Sequence, residues 1–164
     1  MSGQQDLSAE GVMGEKEREL DGFEAGVGLM ERCPPPTENE ANRIIGLPPE
    51  ALNNLSAEKC GENAIVLTQY AHFLKRAENK ERSKVTHAES ALRWVITPVL
   101  DQVTGYGLEE KRMKAIRVNE AAASYETIRA RSQARLDRIE FISQTVKELA
   151  HTYMALANTK RGGK

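Results

Sequence analysis

Thr104-Gly105-Tyr106-Gly107-Leu108 is the stretch on which the fold turns. It is the one strong break between two long helical patterns, the first running from about Ser56 to Val103 and the second from Leu108 to about Thr159. Glycine reaches positive backbone angles without a steric penalty, so Gly105 and Gly107 are expected to supply a reversal. The expected fold is all-α: a long antiparallel helical hairpin over 56–164, with a first helix 56–103, a turn 104–108 and a second helix 109–160.

Outward from the turn, apolar residues recur by threes and fours. In the first arm they are Leu67, Tyr70, Leu74, Ala77, Val85, Ala88, Leu92, Val95 and Val99, the spacing of one helix face. One gap, Glu78 to Lys84, is entirely polar and is expected to weaken the seam at that level. Pro98 lacks a backbone donor and crowds the preceding turn, so a kink or an end is expected there. The second arm repeats the pattern through Ala115, Val118, Ala122, Tyr125, Arg129 and Ser132. It continues through Leu136, Ile139, Ile142, Val146, Leu149, Tyr153 and Leu156, flanked by Ile128, Phe141 and Met154. A band this wide asks for more than one neighbour. The seven residues from Leu136 to Leu156 are therefore expected to be an oligomerisation surface in a ring or bundle of identical subunits. The competing reading covers them with the first arm and a short N-terminal helix, leaving a monomer.

Before the hairpin, residues 1–36 combine many acids with scattered glycines. Each glycine costs a helix about 1 kcal/mol relative to alanine, so a disordered acidic leader is expected. Pro34-Pro35-Pro36 stiffens its exit. Residues 37–55 read as a short helix and linker, with Thr37 as N-cap and Glu40 three residues on. Cys33 and Cys60 show no metal-ligand spacing and read as free thiols in a reducing compartment. No signal-peptide pattern opens the sequence and no run approaches roughly 20 apolar residues. The expected location is the cytoplasm, that of the host cell if the protein is phage-encoded, without a membrane partner.

Charge is unevenly placed. The formal net charge of −1 conceals twelve acids against four bases over residues 1–58, and nineteen bases against twelve acids beyond. The halves thus carry opposite fields. The sequence has no HExxH, no phosphate-binding glycine loop and no nucleophile elbow, and its three histidines, His72, His87 and His151, lie far apart; no enzyme, cofactor or metal site is expected. The candidate nucleic-acid contacts are Lys75, Arg76, Lys80, Arg82, Lys84 and Arg93 on the first arm, and Lys111, Arg112 and Lys114 opening the second. Interleaved acids leave a second reading open, a solvated face of intrahelical ion pairs. Tyr70, Phe73, Trp94 and Tyr106 are possible stacking platforms for unpaired bases. Tyr70 and Trp94 are expected rather in the core, and Tyr106 in the turn is the better platform. Arg129, Arg131, Arg135 and Arg138 form a second basic set, Arg129 either pairing with an acid such as Glu89 or facing a cavity. Lys160-Arg161-Gly162-Gly163-Lys164 reads as a flexible basic end.

Glu62-Asn63-Ala64, Tyr70-Ala71-His72-Phe73-Leu74-Lys75-Arg76, Leu100-Asp101-Gln102-Val103-Thr104-Gly105 and the closing Lys160-Arg161-Gly162 together resemble the bacteriophage recombination mediator (UvsY-like) family over about Ser56 to Gly162. The resemblance implies a cytosolic helical ring, a hexamer or heptamer, that binds single-stranded DNA. It also implies two protein partners, a RecA-like recombinase and a single-stranded-DNA-binding protein, with the first helped to replace the second. Where that family tends to carry a basic pair just before the turn, this chain has Thr97, Pro98 and Val99; Arg93 or the Lys111, Arg112, Lys114 group then stands in. The acidic leader is extra, and either docks on a basic partner or competes with DNA for the chain's own basic face. Two other readings stay open: a phage helical structural or inhibitory protein-interaction module that does not bind DNA, and an accessory subunit whose partner holds an active site.

Overall fold

Alternating three- and four-residue steps set the architecture. The computed structural model of the chain describes residues 8–28 and 38–162. Among them are six helices: α1 (Ala9–Gly26), α2 (Glu38–Ile45), α3 (Pro49–Asn54), α4 (Ala57–Leu100), α5 (Leu108–Val118) and α6 (Glu120–Gly162). No strand occurs among the described residues, and the fold is all-α. Along α4 the burial falls on Cys60, Ala64, Leu67, Ala71, Glu78, Glu81, Val85, Ala88 and Leu92. Along α6 it falls on Ala122, Tyr125, Ser132, Leu136, Ser143, Val146, Ala150, Tyr153 and Ala157. Both series fit the 3-4 alternation of a coiled-coil seam. Alanine occupies many of its positions, which lets helix axes approach toward the near end of the roughly 8–10 Å range.

The chain divides into two compact units, one drawn from Met1–Val27 and Asn79–Leu136, the other from Gly28–Glu78 and Asp137–Lys164. The division cuts α4 within the polar stretch between Glu78 and Lys84. In the first unit Leu92 and Ile96 of α4 pack with Ala115 and Ile116 of α5, Ala122 and Tyr125 of α6, and Ala9 and Met13 of α1. In the second, Cys60, Ala64, Leu67 and Ala71 of α4 meet Val146, Ala150, Tyr153 and Ala157 of α6, with Ile44 of α2 against them. Burial pushes the Tyr153 hydroxyl up, against a hydrogen bond with Asn63, and that hydroxyl also donates to the Ile44 carbonyl at 3.4 Å.

Several expectations need correction. The leader is not disordered throughout, because Ala9–Gly26 is helical. Ser8 Oγ caps it by accepting from Gly11 N at 3.1 Å, and burial of Ala9 and Met13 supplies the tertiary contact that outweighs glycine's poor propensity. The rest of the leader, Cys33, the proline run and Thr37 lie outside the described residues. The second arm is two helices, since Asn119 is extended (φ −116, ψ 112) and its Oδ1 accepts from Ala122 N at 3.0 Å, an N-cap in mid-arm. Among the described residues only Gly28 has positive φ, so Gly105 serves the turn through space: a Cβ there would stand 3.1 Å from Lys111 Cγ and 3.3 Å from Lys111 N. The first arm stops at Leu100, two residues after Pro98. The basic end is helical to Gly162. There Lys160 Nζ donates to the carbonyls of Leu52, Asn53 and Leu55 at 3.3, 2.8 and 2.6 Å, satisfying acceptors at the α3 C-terminus.

The oligomerisation set is also redrawn. Leu136, Val146 and Tyr153 are buried within the chain, and Leu149 and Leu156 pack against the second core. Ile139 is half-buried, and of the seven only Ile142 is exposed. The first arm and α2 supply the cover that a second subunit was expected to give, and the apolar residues left outside are Phe141, Ile142 and Met154. Leu67 is fully buried, so Leu67→Ala is expected to cost about 2–5 kcal/mol, measured as a lowered midpoint of urea unfolding by circular dichroism.

Candidate nucleic-acid interface

The turn is braced by one carboxylate. Glu110, in the first turn of α5, accepts from Tyr106 N through Oε2 at 2.9 Å and from Lys114 Nζ through Oε1 at 2.7 Å. This resembles a capping box, in which an acid reaches back to an unsatisfied backbone donor. The Lys114 ammonium and the Tyr106 N–H hold the Glu110 carboxyl below its ordinary value. Lys114 also donates to the Thr104 carbonyl at 3.0 Å. It is therefore a turn brace rather than a cation facing outward, which corrects its place among the nucleic-acid contacts.

The other candidate cations separate by the company they keep. Lys75 and Arg76 belong to the second unit. Lys75 Nζ meets Glu78 Oε1 at 2.6 Å, with the Glu78 side chain fully buried, and Arg76 is engaged as well. In the first unit Arg82 is engaged, Lys80 pairs with Asp21, and Lys84 Nζ meets Glu17 Oε1 at 2.6 Å and Glu81 Oε1 at 3.2 Å. Burial works against the Lys84 charge, and the two carboxylates more than offset it, so its pKa is raised. Glu81 is buried too: Arg135 Nη1 stands 3.5 Å from Oε1, and Oε2 has no hydrogen-bond partner among the described residues. The polar gap of the first arm thus places two buried carboxylates, Glu78 and Glu81, in the seam.

Arg93, Lys111 and Arg112 remain, all in the first unit and without an ion pair among the described residues. Arg93 and Arg112 line a cavity of about 290 Å³ with Glu89, Ile96, Leu100 and Leu108. Two guanidiniums over an apolar floor suit an anionic group attached to a flat or greasy one. Arg129 resolves its alternatives by pairing with Glu126 on its own helix, Nε to Oε2 at 2.9 Å and Nη2 to Oε1 at 2.6 Å. That fork lowers the Glu126 pKa and raises that of Arg129, to which Glu89 also contributes.

Aromatic placement corrects the sequence reading once more. Tyr106 is fully exposed, but Trp94, expected in the core, is 82% exposed and follows Arg93 directly. The seam positions around it are Leu92 and Ile96, which put residue 94 on the opposite side of α4. That register was available in the sequence, since Ser90, Thr97 and Pro98 share the Trp94 face. Tyr70 and Phe73 lie in the second unit, where their rings stack at 6.4 Å between centroids, and Tyr70 packs against the core.

No group of histidine, cysteine and carboxylate side chains that could hold a metal occurs among the described residues. None of their helices is long and apolar enough to cross a membrane. Cys60 is a buried free thiol. No family model, no curated protein and no solved structure matches this chain. Trp94 is the sole tryptophan, so its emission is expected to lie at the wavelength of a hydrated indole and to be quenched by acrylamide nearly as well as a free tryptophan; a blue-shifted, protected emission would contradict the geometry.

Proposed function

We propose that this protein is a non-enzymatic binder of single-stranded DNA and that the strand lies against the turn end of its first unit. The observation that carries the reading is the coincidence there of unpaired Arg93, Lys111 and Arg112 with exposed Trp94 and Tyr106. The other candidate contacts, Lys75, Arg76, Lys80, Arg82, Lys84 and Lys114, already have carboxylate or other partners. Guanidinium and ammonium groups take phosphates, releasing counterions, while aromatic faces take unpaired bases irrespective of sequence. A duplex offers no free base faces, so the combination favours a single strand.

The resemblance over Ser56 to Gly162 supplies the biological setting of the proposal, a recombination mediator that helps a RecA-like recombinase load on DNA coated by single-stranded-DNA-binding protein. In that setting several copies would share one strand, and affinity would grow with the number of phosphates engaged. The protein-interaction reading without DNA draws its support from Phe141, Ile142 and Met154, exposed on α6.

Anisotropy of a labelled deoxythymidine oligonucleotide, titrated at several salt concentrations, tests the binding. Arg93→Ala, Lys111→Ala and Arg112→Ala together are expected to weaken binding at least tenfold and to flatten the slope of log affinity against log salt by about 2, at roughly 0.7 per lost single-strand contact. An unchanged slope overturns the site, and no binding at low salt favours the protein-interaction reading. Faster recombinase assembly on coated single strands is the expected result for the mediator role.

A further inference from the structure

α1 carries six carboxylates against two cations, a net charge of −4, and it lies along a basic part of its unit. Glu17 takes Lys84 at 2.6 Å, and one helical turn on Asp21 takes Lys80, so α1 runs antiparallel to α4. Glu10 and Glu17 also line a cavity of about 200 Å³ with Lys84, Arg131 and Arg135. Lys80 and Lys84 are four residues apart on α4, and Arg131 and Arg135 four apart on α6, so each helix presents its pair on one face. Arg131 has no partner among the described residues, and Arg135, 60% exposed, reaches only Glu81 at 3.5 Å. Buried Glu81 lies between Lys84 and Arg135 and aims both.

The hold on α1 is lopsided. Only Ala9 and Met13 are buried; further along the helix Glu17 and Asp21 are held by ion pairs, and at the Lys80 pair both side chains are about 40% exposed. Pairs so exposed are individually weak and are screened by salt. A more densely charged polyanion can take their place.

We propose that Lys80, Lys84, Arg131 and Arg135 form a second phosphate-binding strip for single-stranded nucleic acid, its arginines exposed and its lysines latent against α1, whose Glu17 and Asp21 carboxylates occupy them in place of phosphates. The proposal rests on the single-strand-binding reading above but names a different set of residues. α1 then acts as an internal competitor: a strand that first engages the turn end gains contacts when it displaces the acidic helix, and short strands that cannot reach the strip bind more weakly.

The full chain and a labelled deoxythymidine oligonucleotide test it. Glu17→Gln with Asp21→Asn is expected to tighten binding roughly tenfold and to steepen the salt slope by about 0.7 for each cation freed. Adding Lys80→Gln and Arg131→Gln, which leave both partners of buried Glu81 in place, is expected to remove that gain. Hydrogen exchange of the α1 amides is expected to quicken when long oligonucleotide saturates the native chain. Acid variants that bind no tighter, a gain that survives Lys80→Gln with Arg131→Gln, or α1 amides that do not quicken overturn the strip. The Arg93, Lys111, Arg112 variant reads the other site separately: if it binds like the native chain while the acid variant gains, the strip stands and the turn-end site falls. If neither the native chain nor the acid variant binds, both are rejected.

Discussion

Close approach of helices over alanine is the constraint on which this structure depends. Ala64, Ala150 and Ala157 in one unit, and Ala88, Ala115 and Ala122 in the other, are at most 2% exposed. An alanine at a seam position brings no side chain that must be kept apart from its neighbour, so backbones come near and many weak dispersion contacts add up. The same constraint turns large side chains outward where the seam has no room for them. Aromatic residues are 5% of the chain. Of these Tyr153 and Tyr125 are buried, while Phe23, Trp94, Tyr106 and Phe141 are more than two-thirds exposed. A thin core and surface aromatics are thus two results of one packing choice.

Charge is organised around that seam. Glu78 and Glu81 occupy seam positions of α4 where apolar residues would otherwise sit, and each is joined by lysine on its own helix. Burying a carboxylate with no cation beside it is costly, and these lysines offset that cost. Lys84 is therefore drawn inward by the acid beneath it, while Lys75 reaches its acid from an exposed position. Acidic α1 takes the outer side of Lys84 and all of Lys80. At the turn end Glu110 holds the loop and Glu126 holds Arg129. Arg93, Lys111 and Arg112 are left to act outward.

This distribution gives a physical sense to the opposite fields of the two halves of the sequence. In the first unit, part of the N-terminal negative charge lies directly against part of the later positive charge, at Glu17 with Lys84 and Asp21 with Lys80. Cations of two kinds result, some free of carboxylate partners and some, Lys80 and Lys84, held by α1.

Sequence periodicity by itself determined the helical class, the reversal between Leu100 and Leu108, the end near Pro98 and the short helix after the proline run, because each follows from local steps of three and four or from a residue's own backbone limits. It also marked the polar stretch from Glu78 to Lys84, within which the chain divides. It did not distinguish which of two neighbouring stripes would be buried. Periodicity places Ile139, Ile142 and Leu149 in the seam, whereas Ser143, Ala150 and Ala157 hold it in the folded chain, since only the facing helix decides how much room there is. Nor did local propensity foresee α1, whose glycines argue against a helix until Ala9 and Met13 find a surface to bury against. Which lysines are free and which are paired was likewise decided by tertiary structure alone, because an ion pair such as Glu17 with Lys84 joins residues far apart in the chain.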